Sequence, residues 1–364
     1  MHTIATLPPV APVRLHHGHP ILEPVTAHAW ESRVVLNPAA TLLPADTHLE
    51  QLFQTWNLAP FQRARLRHAG GACVMLYRAQ GEPDPENQHA PSSLGLALFS
   101  PTLTLLYRHT KPVIKPESPF HNLGVEDPRC TRVGDTFYLY YTGYATNQPG
   151  NPDAPRTVRI CLATTEDFLD WTLHGPVAGD INTVDNKNPA LLPRPVDGRW
   201  LLLHRPMEGP DAMTIHLAEA EQPEGPWHTL GPLMKSYAYQ EFDRSWIGAG
   251  GPPEALDDGR FLMIYHQGHF TADGQREYDL AAALLDFSAA DPVRARIEPL
   301  MRPTEEAERL GDPELGVDNV LFTCANYRLQ DQLIIPYAGA DSRIFGASVP
   351  VDALVAALEA QAGA

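Results

Sequence analysis

The sequence predicts an all-β fold, a five-bladed β-propeller with a short C-terminal helix. Three observations predict it. A strand motif recurs five times at near-equal spacing, proline is spread along the whole chain, and the helical segments that parallel strands need for their crossovers are missing.

The recurring motif is a turn, an apolar strand and a polar or aromatic end. It reads GACVMLYRA from Gly71, GDTFYLYYTGY from Gly134, GRWLLLHRP from Gly198, GRFLMIYHQG from Gly259 and, more loosely, QDQLIIPYAGAD from Gln330. The starts lie roughly 61 to 71 residues apart, enough for four short strands and their loops. Counting from each start, Arg78, Tyr141, Arg205, His266 and Tyr337 fall at the same phase. If this strand lines a central channel, those five side chains converge on its axis.

Proline accounts for 36 of the 364 residues, and it is scattered rather than clustered. Proline breaks helix interiors, so long helices are disfavoured and short strands with turns are favoured. Only the stretch 351–360, after Pro350, has helix-forming residues at helical spacing. Segments 81–93 and 146–156, rich in Pro, Asn and Asp, read as loops between strands. No composition shift marks a boundary. Residues 1–364 are therefore read as a single domain, with 1–30 as an arm that closes the ring or contacts a partner, such as a second copy of the chain.

A formal net charge of −17 argues against nucleic acid or an anionic membrane as partner. It suits a neutral small substrate. Cys73, Cys130, Cys161 and Cys324 form no CxxC pair and read as isolated thiols of a reducing compartment. With no leader-like start and no long apolar run, a cytoplasmic location is expected. His16, His17 and His19 read as an exposed histidine-rich arm rather than a metal site. No phosphate loop, GxSxG elbow or HExxH is present, and neither a metal nor a cofactor is expected.

The segment from His121 to Gly143 runs from a polar loop into the second repeat strand. Within it, Asp127 precedes a proline, and Arg129 stands close enough to orient a carboxylate. A carboxyl in a partly dry channel is expected to have a raised pKa and to donate a proton. An Asp-Pro pair alone is ordinary turn chemistry.

Several segments together resemble glycoside hydrolase family 130, the β-mannoside phosphorylases and β-mannosidases. They are VVLNPAA (34–40), MLYRA (75–79), GVEDPRCTRVGDTFYLYYTGY (124–144), NKNPALLPRPVDGRWLLLHRP (186–206), IGAGGPPEALDDGRFLMIYHQG (247–268), YDLAAALLD (278–286), VDNVLF (317–322) and PYAGADSRIFGAS (336–348). The resemblance implies a five-bladed propeller that cleaves β-mannosidic bonds with inversion, in mannosides or manno-oligosaccharides, so that the partner is a small oligosaccharide substrate. It implies that Asp127 is the general acid, acting through a hydroxyl of the bound mannose. Asn37 and Arg78 then contact that sugar, Asp341 holds it, and Arg205 and His266 line the side from which the nucleophile attacks.

An inverting hydrolase needs a carboxylate to activate water, whereas a phosphorylase replaces it with phosphate held by cations. Phosphorylases of the family typically carry an Arg-Asn pair where this chain has Lys187-Asn188, and a lysine where it has Trp246. Lys187 offers a point charge rather than a two-pronged fork. Arg205, His266 and Arg244 remain as cations for phosphate, while Glu241, Asp243 and Glu254 are candidate bases. On this balance the sequence favours hydrolysis, with phosphorolysis, using inorganic phosphate as co-substrate, as the alternative. A non-catalytic carbohydrate-binding propeller is the alternative of another class. Trp246, Tyr141, Tyr144, Phe242 and Tyr337 are candidate sugar platforms.

Overall fold

The computed structural model describes residues 10–83, 89–151, 153–209, 211–236, 245–271 and 273–362. Five antiparallel sheets form the blades of a β-propeller. Blade 1 contains Val34–Pro44, Gly71–Gln80, Ser93–Phe99 and Leu105–Arg108. Blade 2 contains Gly124–Val133, Thr136–Thr146, Arg156–Thr165 and Thr172–Pro176. Blade 3 contains Asn186–Leu191, Trp200–Pro206, Ile215–Ala220 and His228–Met234. Blade 4 contains Ser245–Ala249, Phe261–Phe270, Arg276–Leu285 and Val293–Met301, with Glu254–Ala255 as an extra short strand. Blade 5 contains Leu321–Phe322, Gln332–Gly339 and Arg343–Pro350, with Tyr327–Leu329 beside them. Its outer edge is Val13–Arg14, which pairs antiparallel with Arg343–Pro350. The two ends of the chain therefore share one sheet.

The recurring sequence motif is the second strand of every blade. The first strands of blades 1 to 4 lie against one another in turn around the axis. The channel is thus lined by the strand before the motif, and the motif reaches it only at its C-terminal end. This corrects the expectation that the repeated strand itself lines the channel.

Strand alternation builds the core between blades. In blade 4, Met263, Tyr265, Ala281 and Ala283 pack towards Leu201, Leu203 and Ile215 of blade 3. Leu262, Ile264, Leu280 and Ala282 point the other way, to Leu333, Ile335 and Phe345 of blade 5. The C-terminal helix, Val351–Ala362, covers this second cluster with Val351, Leu354, Ala357 and Leu358.

Two helices not expected from the sequence, Thr47–Thr55 and Pro60–His68, are inserted between the first two strands of blade 1. Asp46 caps the first by accepting from the Leu49 N–H at 3.0 Å, and Pro60 opens the second. Leu49, Leu52, Phe53, Trp56 and Leu66 are buried against Phe137 and Phe168 of blade 2. Proline did not exclude helix here because it stands at a helix start, where its missing N–H costs nothing.

Candidate active site

Three inner strands share one irregularity. The pairing register shifts between Leu36 and Ala39, between Glu126 and Arg129, and between Lys187 and Ala190. Each shift is a β-bulge over an Asx-Pro dipeptide: Asn37-Pro38, Asp127-Pro128 and Asn188-Pro189. The Asx residue takes a left-handed backbone in all three, with φ of 49°, 50° and 54°. That conformation costs on the order of 1–3 kcal/mol for a non-glycine residue and is concentrated at functional sites. Asn and Asp tolerate it best, and a bulge re-aims side chains that regular alternation would send elsewhere.

The bulges bring Asn37 and Asp127 into contact. Asn37 Nδ2 donates to Asp127 Oδ1 at 2.7 Å, and Arg78 Nη1 donates to the same oxygen at 3.2 Å. Arg78 Nη2 reaches Glu126 Oε1 at 2.8 Å, and its Nε reaches Ser92 Oγ at 2.8 Å. Lys187 Nζ lies 3.4 Å from Glu126 Oε2. Glu126 was missed in the sequence. On a regular strand it would face away from Asp127, and only the bulge puts both carboxylates in one site.

The electrostatics separate two acids. Burial pushes Asp127 up, but Arg78, Lys187, the Asn37 hydrogen bond and Arg129 together hold it at about 2. This reverses the expectation of a raised value: in the empty protein, Asp127 is an anion. Asp341 lies in the turn between Gln332–Gly339 and Arg343–Pro350, where it and Ala340 both have positive φ. Burial raises Asp341 to about 6, with Asp127 adding to the rise against the pull of Arg78, Arg276 and Lys187.

On another side of the site stand Arg205 and His266. Arg205 pairs across the ladder with Lys187, and His266 with Gly248. Gly248 has no room for a side chain: a Cβ there would meet Asn188 Oδ1 at 2.4 Å and His266 Nε2 at 2.5 Å. His266 is fully buried, packed against Phe322 in a tilted arrangement at 4.2 Å between ring centroids and 6.1 Å from Tyr278. Burial, then Arg205 and Arg129, push its pKa well down, so the ring is neutral. Burial also lowers Arg205. Among the described residues the Arg205 side chain, 7% exposed, forms no ion pair, and its Nε has no hydrogen-bond partner. Asn188 Oδ1, Asn37 Oδ1 and both His266 ring nitrogens are likewise buried without partners.

Not every predicted residue reaches the site. Arg129 is 1% exposed and spans the channel to blade 4, donating from Nε to Gly250 O at 2.6 Å and from Nη2 to Ala249 O at 2.8 Å. Its Nη1 donates to Asp127 O at 3.0 Å. These bonds tie blade 2 to blade 4, a bracing role within the channel wall. Tyr141 is one residue out of phase: Arg78, Thr142, Arg205 and His266 are the ladder partners of the inner strands, opposite Leu36, Glu126, Lys187 and Gly248. A one-residue slip reverses the face, so Tyr141 is buried in the core with its hydroxyl on His121. Tyr337 is also buried, donating to Glu308 Oε1 at 2.7 Å.

Glu254 pairs opposite Leu262, four residues along the strand from His266, and faces Arg328. That is the wrong end of blade 4 for a base. Tyr144 pairs with Gly124 where blade 2 starts. Trp246 is partly exposed, packed over Gly268 with Tyr278 and Phe270 edge-on at 5.3 and 5.6 Å. Glu241, Phe242, Asp243 and Arg244 lie outside the described residues. His16, His17 and His19 line a surface cavity of about 390 Å³ with Leu103 and Leu105.

Comparison with known proteins agrees with this architecture. Residues 33–360 match the glycoside hydrolase family 130 pattern, described as β-1,4-mannooligosaccharide phosphorylase. A 1,2-β-oligomannan phosphorylase of Thermoanaerobacter sp. (strain X514) is 29% identical over 327 residues, covering 89% of this chain and 93% of that protein. A β-1,2-mannobiose phosphorylase of the same strain is 30% identical over 333 residues, with the same coverage of both. The solved β-1,2-mannobiose phosphorylase of Listeria innocua, in complex with β-1,2-mannobiose, superposes with a TM-score of 0.71 at 19% identity, covering 97% of this chain and 99% of that one. The preference for hydrolysis read from Lys187 and Trp246 finds no support in these relatives, whose names are those of phosphorylases. A match that runs almost end to end, on a propeller of five blades, makes this chain a member of glycoside hydrolase family 130, an enzyme of the glycosidase and glycoside phosphorylase class.

Proposed function

We propose that this chain is an inverting β-mannoside phosphorylase acting on β-1,2-linked manno-oligosaccharides. The observation that carries the reading is Arg205, a buried guanidinium without a carboxylate partner among the described residues. A buried cation is costly unless a counter-charge accompanies it, and phosphate supplies one with several acceptor oxygens. Neutral His266, Asn188 and Lys187 complete a cradle able to donate to it. The choice of β-1,2 linkage rests on the names of the two Thermoanaerobacter relatives.

Asn37, Arg78 and Asp341 hold the mannose whose bond is cut. A phosphate oxygen attacks its anomeric carbon from the Arg205 side. The bond to the leaving oxygen breaks with its electron pair moving to that oxygen. A proton reaches it from Asp127 through a sugar hydroxyl. The products are mannose 1-phosphate of inverted configuration and a shorter oligosaccharide. Asp127 at about 2 is too acidic to hold a proton in the empty site. Phosphate bound near Lys187 and Arg205 offsets the positive field that depresses it, so its pKa climbs when both substrates are present.

The test is incubation with β-1,2- and β-1,4-mannobiose, with and without phosphate. Mannose 1-phosphate is expected from the β-1,2 substrate only when phosphate is present. Release of free mannose at an equal rate without phosphate would overturn phosphorolysis, and preference for the β-1,4 substrate would overturn the linkage. Arg205→Ala is expected to raise the KM for phosphate at least tenfold, with less effect on the KM for mannobiose.

A further inference from the structure

Blade 4 carries a second cluster of chemistry-bearing side chains that the cleavage reaction does not use. His269 and Glu277 face each other across the ladder between Phe261–Phe270 and Arg276–Leu285, and Asp279 stands two residues beyond Glu277 on the same sheet face. One His269 ring nitrogen and one carboxylate oxygen from each of Glu277 and Asp279 all lie within 4.8 Å of one another. Alternation puts them on the opposite sheet face from His266 and Tyr278, so they are separate from the sugar and phosphate groups.

Asp279 is the unusual member. It is 1% exposed, its Oδ1 has no hydrogen-bond partner among the described residues, and its Oδ2 is only 3.6 Å from the Arg302 Nε, on a side chain that is itself 52% exposed. A buried carboxylate beside a second one needs a positive charge or a proton between them. Burial, then the Glu277 charge, push Asp279 up to about 8 against the pull of Arg302. Glu277 retains 24% exposure of its side chain, which leaves a path from solvent.

We propose that His269, Glu277 and Asp279 bind a divalent first-row transition-metal ion, with Zn²⁺ the best match. One imidazole and two carboxylates are the ligand set that suits such ions, and water completes the coordination. Bond lengths near 2.0–2.2 Å require the three ligands to close by roughly 1 Å, within the reach of side-chain rotation. The ion would pin the ends of two central strands of blade 4 and relieve the carboxylate repulsion. Its role is structural.

The test uses the full chain stripped with EDTA and titrated with ZnCl₂ by calorimetry, with MnCl₂, MgCl₂ and CaCl₂ for comparison. One Zn²⁺ per chain and a rise in melting temperature that saturates at that ratio are expected. Asp279→Asn and Glu277→Gln should each weaken binding at least tenfold, with far-UV circular dichroism and mannoside cleavage in EDTA unchanged. The less buried Glu277→Gln variant keeps the test valid if Asp279→Asn unfolds. No stoichiometric binding, tighter binding of Mg²⁺ or Ca²⁺, or Zn²⁺ binding that survives both substitutions would overturn the proposal. The last outcome would place the ion elsewhere, for example at His16, His17 and His19.

Discussion

Asp127 and Asp341 are two carboxylates in one site whose surroundings drive their pKa values apart, to about 2 and about 6. Asp127→Asn keeps the size and the Asn37 neighbour but removes the carboxyl that the proposed mechanism uses as its proton donor. Its expected effect is a loss of kcat of about 10²–10⁴-fold with circular dichroism unchanged, and a fully active variant would contradict the assignment. Asp341 gives a pH signature. Its folded pKa lies above its unfolded value, so its contribution to stability is intact below about pH 4 and is lost as pH rises through about 6. Asp341→Asn lacks that loss. The variant should therefore gain melting temperature relative to wild type between pH 4 and 7, worth about 1–2 kcal/mol because solvent reaches this carboxylate, while its activity collapses. A difference independent of pH would show that Asp341 does not titrate there. At this scale the sequence revealed Asp127, Asn37 and Arg78 through family motifs, but not the direction of the Asp127 shift. That direction depends on Arg78, Lys187 and Arg129 arriving from two blades and the same strand, which one segment cannot display. Tyr141 was misplaced because turn lengths differ between repeats, and a count from the turn slips by one residue.

The elements explain why the site exists at all. Second strands were legible because each follows a turn and is continuously apolar, as a strand buried on both faces should be. Their partners in blades 1 to 3 were not legible, since each of those inner strands is interrupted by an Asx-Pro bulge that reads locally as a turn. Asn37-Pro38, Asp127-Pro128 and Asn188-Pro189 were nevertheless in plain view as a second repeat. The helices at 47–55 and 60–68 were overlooked because proline content was weighed over the whole chain rather than position by position. Two substitutions test how the strands support the site. Gly248→Ala would drive a Cβ into Asn188 Oδ1 and His266 Nε2. It should raise the KM for phosphate at least tenfold and cost about 1–3 kcal/mol from overpacking, measured by phosphate-dependent kinetics and urea melts. Arg129→Met should act differently. It leaves the carbonyls of Asp127, Ala249 and Gly250 without their donor, and each buried group left unpaired costs about 1–3 kcal/mol. A total loss of at least 3 kcal/mol in urea denaturation is expected, and wild-type stability would mean that water replaces the guanidinium.

The last blade of the ring takes its outer strand from the N-terminal part of the chain. Val13–Arg14 covers the Arg343–Pro350 strand, which would otherwise present unpaired backbone groups. The seam is fastened by charge. Arg14 Nε and Nη2 both donate at 2.7 Å to Glu308, whose side chain is wholly buried. Glu308 also accepts from Tyr337 Oη at 2.7 Å and from the Thr304 and Glu305 N–H groups at 2.8 and 3.0 Å. Removing one partner of a buried pair costs about 3–5 kcal/mol when the other charge is stranded. Glu308 keeps three donors, so Arg14→Ala should fall at or just below the bottom of that range, about 2–3 kcal/mol. The pH dependence identifies the cause. Burial raises the Glu308 pKa, yet the bonds from Arg14, Tyr337 and the two backbone amides lower it overall. A depressed carboxylate contributes stability that is present above its unfolded pKa and lost as pH falls through the folded value. Wild type and Arg14→Ala should therefore differ most near pH 7 and converge towards pH 4 and below. Urea midpoints across that range measure the difference. If the gap were the same at every pH, the contribution of Arg14 would come from strand packing alone, and the ring would be closed by backbone pairing without the buried charge.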